Sequence, residues 1–173
     1  MSPVAVLTGP PGAGKTTVGT ALATRLDVGF RDTDADVEAG AGRTVAEIFV
    51  EDGEPRFREL EAAAVRAALA DHDGVLALGG GAILDPATRK VLQDSGSPVV
   101  LLEVGVAEAA VRVGFNRERP LLLGNPRQQW SRLLEARLPL YLEVASVRVS
   151  TDDREPDQVV DEIVDALQHR EIS

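Results

Sequence analysis

The chain contains no cysteine, which excludes disulfide bonds and thiolate metal sites. Aromatic residues make up only 3% of it, too few to build a platform on which nucleic-acid bases stack. No apolar run approaches the length of a membrane span, so no membrane partner is expected. Met1-Ser2-Pro3 leads straight into the apolar run at 4–7, which is too short for a signal peptide and lacks its basic flank. A cytoplasmic protein is expected. Positive charge is scarce as well: the formal net charge is −10, which argues against general nucleic-acid binding. An acidic chain that binds an anion must gather its cations locally, so their positions matter more than their number. Only two of the 18 basic residues are lysines, Lys15 and Lys90, and Lys15 stands in a glycine-rich loop.

What is present fits one soluble domain. The 173 residues are 44% apolar and 27% charged, enough for a single core with an appended lid or small subdomain. Short apolar runs at 4–8, 75–78 and 99–104 read as strands, as do the stretches 29–32 and 147–149. Between and after them, helical patterns occupy 15–26, 35–41, 45–52, 54–70, 86–94, 106–114, 128–143 and 156–169. Residues 115–127, with two prolines and several arginines, read as a loop, and Pro139 as a possible kink in the helix around it. Alternating strands and helices imply an α/β fold with a parallel sheet covered on both faces. In such a sheet ligands bind beyond the carboxyl ends of the strands. Exposed apolar stripes are not evident, and a monomer is expected.

Gly9-Pro10-Pro11-Gly12-Ala13-Gly14-Lys15-Thr16 satisfies G-x-x-x-x-G-K-[ST] in full, between an apolar strand and a periodic helix. The glycines let the backbone wrap phosphate oxygens, and the helix that follows presents its positive end to the same anion. Lys15 can reach the β- and γ-phosphates of a nucleotide, and the Thr16 hydroxyl can ligate Mg²⁺. A plain Gly-Pro turn with a surface lysine is the bland alternative.

Asp32-Thr33-Asp34 follows the second strand. In extended chain Asp32 and Asp34 point to one side, where one can hold a metal and the other can orient a substrate hydroxyl. Helix capping is the competing use of such a sequence. Asp36 falls on the following helix and is expected to be solvated. Arg58 and Glu61 are three apart on a helix, so Glu61 can orient the Arg58 guanidinium toward a carboxylate; an exposed ion pair is the simpler alternative. Phe57 is expected in the core or the pocket wall, and Trp130 in packing. Gly79-Gly80-Gly81 ends the third strand, which carries no acid there, and lets backbone approach a small polar ring.

Taken in order, Gly-Pro-Pro-Gly-Ala-Gly-Lys-Thr-Thr, Asp32-Thr33-Asp34, Asp52-Gly53-Glu54 with Phe57-Arg58 and Glu61, Leu78-Gly79-Gly80-Gly81, Arg119-Pro120-Leu121-Leu122 and Arg137-x-Pro139-x-Tyr141 resemble the shikimate kinase family over nearly the whole length. The resemblance implies a three-layer P-loop kinase fold with a central parallel five-stranded sheet in the order 2-3-1-4-5, substrate-binding helices and a mobile lid. One domain would span 1–173, with a substrate-binding subdomain at about 33–61 and a lid at about 112–127. The reaction implied is transfer of the ATP γ-phosphoryl group to the 3-hydroxyl of shikimate, with Mg²⁺ as cofactor and ATP and shikimate as the partners. Asp34, Lys15 and Arg119 would be catalytic. Gly12, Ala13, Gly14, Lys15, Thr16, Thr17, Arg112 and Arg119 would bind ATP, Arg112 by stacking on adenine. Asp34, Arg58, Gly79, Gly80, Gly81 and Arg137 would bind shikimate. Thr16 and Asp32 would bind the metal, Asp32 through water. Arg117 lies on the same loop as Arg119 and is either solvated or turned toward ATP, and the segment 124–129 matches no fixed pattern. The alternatives are a related kinase of another small hydroxylated acid such as gluconate, and a non-catalytic nucleotide-binding module. The sequence lacks the Asn-Lys-x-Asp motif of a guanine-reading switch.

Overall fold

The computed structural model of the chain describes residues 2–113 and 125–171. Five strands form one all-parallel sheet: β1 (Ala5–Thr8), β2 (Phe30–Asp32), β3 (Val75–Ala77), β4 (Val99–Glu103) and β5 (Val147–Ser150), in the order β2-β3-β1-β4-β5. The helices among the described residues are α1 (Lys15–Leu26), α2 (Thr33–Ala41), α3 (Val45–Asp52), α4 (Glu54–Asp71), α5 (Pro86–Asp94), α6 (Val106–Val113), α7 (Pro126–Val144) and α8 (Pro156–Glu171).

The strands are apolar at consecutive positions because both faces of the sheet are covered. Successive side chains point to opposite faces. Ala5, Leu7, Val100 and Leu102 join Val18 and Leu22 of α1 and Val159, Val160 and Ile163 of α8 on one side. Val6, Val99 and Leu101 join Val65 and Leu69 of α4, Leu92 of α5 and Tyr141 of α7 on the other. The four-residue spacing of Val18 and Leu22 thus marks the buried stripe of α1. Helices α2 to α4 keep a small core of their own, Val37, Ile48 and Phe57, with Phe49 tilted on Phe57 at 4.8 Å between ring centroids. Burying Ile48 and Phe57 contributes about 1.5–3 kcal/mol each, which holds these helices as a unit beside the sheet.

Three expectations change. Residues 126 and 127 belong to α7, because the Asn125 side chain accepts from Arg127 N–H at 3.0 Å and Pro126 occupies the first turn. Residues 82–84, for which no element was expected, form a short 3-10 turn (Ala82–Leu84). Helix α2 begins at Thr33, two residues earlier than expected, with Asp32 as its cap. The expected lid at 112–127 therefore has helical ends, with Arg112 in α6, and its middle, 114–124, lies outside the described residues. Helix α7 runs on through Pro139.

Candidate active site

The loop between β1 and α1 turns at Gly12 (φ +85°) and Gly14 (φ +90°), a backbone region that glycine enters without steric cost. Its carbonyls are engaged by side chains. Lys15 Nζ donates to Gly9 O at 2.6 Å and Pro10 O at 3.1 Å, Trp130 Nε1 to Pro11 O at 3.0 Å, and Arg112 Nη1 to Gly12 O at 3.0 Å. Ala13 N–H donates to Pro10 O at 3.2 Å, and the amides of Gly12, Gly14 and the first turn of α1 remain for an anion. Among the described residues no side chain caps α1 and no acid lies in its first turn, so its positive end is uncompensated. Burial pushes the Lys15 ammonium down to a pKa of about 8; the Asp34 and Asp32 carboxylates oppose this and Arg137 adds to it.

Asp32 serves two ends at once. Its Oδ1 accepts from Asp34 N–H at 2.8 Å as the cap of α2, and its Oδ2 lies 3.4 Å from the Thr16 hydroxyl. The expected extended geometry of Asp32 and Asp34 fails because the chain turns helical at Thr33, yet both carboxylates still lie close enough to Lys15 to act on its charge. The pair Thr16 and Asp32 supplies hard oxygen donors on the phosphate side of the loop. That suits Mg²⁺, which takes one or two protein oxygens and completes its shell with phosphate and water. Asp36 is not solvated as expected: it pairs with Arg31 Nε at 2.6 Å, half-buried.

Asp34 Oδ1 is buried and accepts no hydrogen bond from a described residue. Burial raises the Asp34 pKa, and the neighbouring Asp32 adds to the rise while Lys15 and Arg58 resist it. A buried carboxylate oxygen of raised basicity is suited to receive a hydroxyl proton. Arg58 lies beside it, over the Phe57 ring with Cζ 5.3 Å from the centroid. Its Nη1 donates to Glu61 at 2.8 Å, and Glu61 is only 2% exposed. Glu54 holds the same guanidinium from the rim at 3.3 Å. Burial raises the Glu61 pKa, against the pull of Arg58. The expected orienting pair is thus formed, and it is not an exposed ion pair.

The glycine run is fitted around these charges. A Cβ on Gly79 would stand 2.7 Å from both Asp34 Oδ1 and Glu61 Oε2, and one on Gly81 would stand 2.4 Å from Arg58 Nη1. Gly80 lies against Arg137, whose Nη1 would be 3.5 Å from an added Cβ. Two buried side chains fix the run: Thr33 Oγ1 accepts from Gly79 N–H at 3.3 Å, and Tyr141 donates to Gly80 O at 2.6 Å. Among the described residues no carboxylate lies within ion-pair distance of Arg137.

On the other side of the loop, Ala13, Gly14, Thr17, Arg112, Thr151 and Arg154 border a cleft of about 320 Å³ that also touches Pro156. Arg112 is fixed there by Gly12 O, by Glu108, and by Thr151 through its Oγ1 and its carbonyl, both at 3.0 Å. Thr151, Arg154 and Pro156 were not anticipated, and no local motif marks them. Arg117 and Arg119 lie outside the described residues.

A glycine-rich anion loop at a helix N-terminus, a hydroxyl–carboxylate pair on its flank and the Arg58 and Arg137 guanidinium groups near Asp34 and the glycine run are the parts of a P-loop phosphotransferase. The family model described as "Shikimate kinase" matches residues 11–168. A shikimate kinase of Saccharopolyspora erythraea is 60% identical over 168 residues, covering 96% of this chain and 95% of the relative. One from Streptomyces coelicolor is 54% identical over 170 residues, covering 98% of each. Among solved structures, "Shikimate kinase from Acinetobacter baumannii in complex with shikimate" superposes with a TM-score of 0.91 at 34% identity, covering 100% of this chain and 96% of that one. The chain belongs to the shikimate kinase family, and the expected strand order is the observed one.

Proposed function

We propose that the chain transfers the γ-phosphoryl group of ATP to the 3-hydroxyl of shikimate, giving shikimate 3-phosphate and ADP on the route to aromatic amino acids. One observation carries the reading. Arg58, locked by the buried Glu61 and fitted against Gly81, lies close enough to Asp34 to act on its charge, and Lys15 is acted on by both Asp34 and Arg137. A cyclic acid with hydroxyls matches that set: guanidinium groups for its carboxylate, Asp34 for a hydroxyl, and backbone at Gly79 to Gly81 for its ring. The A. baumannii relative carries shikimate, which supports the same substrate here.

In this reading Arg58 and Arg137 grip the acceptor's carboxylate and aim its hydroxyl at the phosphate loop. Asp34 accepts the hydroxyl proton as the oxygen forms its bond to the γ-phosphorus and the bond to the β,γ-bridging oxygen breaks. The amides of Gly12 to Thr17 cradle the phosphates, and the Lys15 ammonium leaves Gly9 O and Pro10 O to neutralise the growing charge. Arg112 forms a wall of the nucleotide cleft, and Arg119 is assigned to the transferring phosphoryl group. Thr16 and Asp32 would hold Mg²⁺, which when bound offsets charge on the β- and γ-phosphates. Residues 33–61 serve as the acceptor subdomain and about 112–127 as the lid. We further assign the enzyme to the cytoplasm, where ATP is available, and to the monomeric state, which light scattering after size-exclusion chromatography checks.

A coupled ADP-release assay with Mg²⁺–ATP and a panel of acceptors tests the substrate. Turnover on shikimate and none on gluconate is expected. Turnover on gluconate without turnover on shikimate would replace the substrate assignment.

A further inference from the structure

Resting on the phosphate-loop reading above, we infer that Trp130 is a positioning residue for nucleotide binding, acting through the peptide unit between Pro11 and Gly12. That unit is the weak point of the loop. Pro10 and Pro11 have no N–H, so neither can anchor the turn by donating. Gly12 sits at φ +85° and tolerates the opposite sign equally well, so the Pro11–Gly12 peptide can rotate by half a turn at little steric cost. Rotation would exchange the two ends of a trans unit. The Gly12 N–H would leave the anion side, and the Pro11 oxygen would face the phosphates instead.

The indole of Trp130 opposes this. Its Nε1 donates to Pro11 O at 3.0 Å across 119 residues of sequence, and the ring is only 6% exposed, packed in the core beside α1 and β4. A rigid, buried donor keeps the oxygen turned outward, so the amide on the other side of the peptide stays aimed inward before any nucleotide arrives. Within the loop, Ala13 N–H takes Pro10 O at 3.2 Å, while Pro11 O is served from α7. Preorganisation of this kind lowers the cost of binding the triphosphate and does nothing for the acceptor pocket, which is held by Glu61, Thr33 and Tyr141.

The test is Trp130→Phe, which keeps a buried ring and removes the donor. The expected result is an ATP KM and ADP Kd raised about three- to tenfold, the range for one lost hydrogen bond. The shikimate KM, and kcat at saturating ATP, should stay within about twofold. Should the variant fold poorly, 3-benzothienylalanine at position 130 replaces N–H by sulfur in a ring of the same shape and should give the same split. Nucleotide affinity unchanged in the folded variant, or a loss shared equally by ATP and shikimate, overturns the inference. Lys15→Met measured alongside separates the two levels: normal ATP binding in that variant removes the phosphate-loop reading itself. Lost binding there with unaltered Trp130 variants removes only the role of Trp130.

Discussion

Gly81 sits at φ −101° and ψ 4°, a conformation that alanine adopts with little strain, so a methyl group there acts only through what it meets. It would meet Arg58, at 2.4 Å from Nη1, 2.5 Å from Nη2 and 2.7 Å from Cζ. Ordinary carbon contacts begin near 3.5 Å, so the guanidinium must retreat by about 1 Å. A retreat of that size stretches the 2.8 Å bond from Arg58 to Glu61 beyond hydrogen-bonding range. What is lost at the acceptor is one oriented, charge-assisted contact, worth about 1.5–3 kcal/mol. That corresponds to roughly 10- to 150-fold in the shikimate KM of Gly81→Ala. The fold is weakened as well: the Arg58 side chain is 23% exposed and can turn to water, but losing its bond to buried Glu61 costs about 1.5–3 kcal/mol, or roughly 3–12 °C of Tm. The assay is coupled ADP release with shikimate varied at saturating Mg²⁺–ATP, then the reverse. A folded Gly81→Ala protein with an unchanged shikimate KM would refute the assignment of Arg58 as the carboxylate clamp.

Other perturbations reach the remaining parts of the site. Asp34→Asn should lower kcat at least about tenfold. In the parent enzyme kcat/KM should fall with falling pH through a pKa above the usual carboxylate range, since burial raises Asp34 and only its ionised form accepts a proton; the asparagine variant should lack that limb. Lys15 is lowered from 10.5 to about 8, so above pH 8 a growing fraction is neutral before nucleotide binds. Phosphate oxygens favour the ammonium, so ATP binding should take up protons increasingly between pH 7 and pH 9, read by calorimetry in buffers of different ionisation enthalpy; uptake that does not grow over this range counts against the contact. Tyr141→Phe removes the donor to Gly80 O from a fully buried site and should cost about 1–3 kcal/mol by urea unfolding.

What the sequence discloses is what local rules govern. The phosphate loop is legible because its glycines, lysine and threonine are consecutive and flanked by a strand and a periodic helix. Arg58 and Glu61 are legible because helical spacing puts residues three apart on one face. Asp32 and Asp34 are brought together by a different geometry from the one expected: Asp32 caps α2 and the chain turns helical at Thr33, two residues before strand periodicity assumes. The Asn125-Pro126 pair is a start signal that a proline- and arginine-rich stretch obscured. Beyond local rules lie Trp130 on Pro11, Tyr141 on Gly80 and Arg112 on Thr151. Each joins elements far apart in the chain, and each depends on which strands the fold sets side by side. Such contacts turned Trp130 from a simple packing residue into a partner of the phosphate loop.

The most direct measurement is a crystal structure with Mg²⁺–ADP and shikimate bound together. The account predicts the β-phosphate on the amides of residues 12–17, the shikimate carboxylate on Arg58 and Arg137, and a ring hydroxyl on Asp34. A carboxylate seated away from both arginines, or a nucleotide bound outside the Lys15 loop, would contradict it.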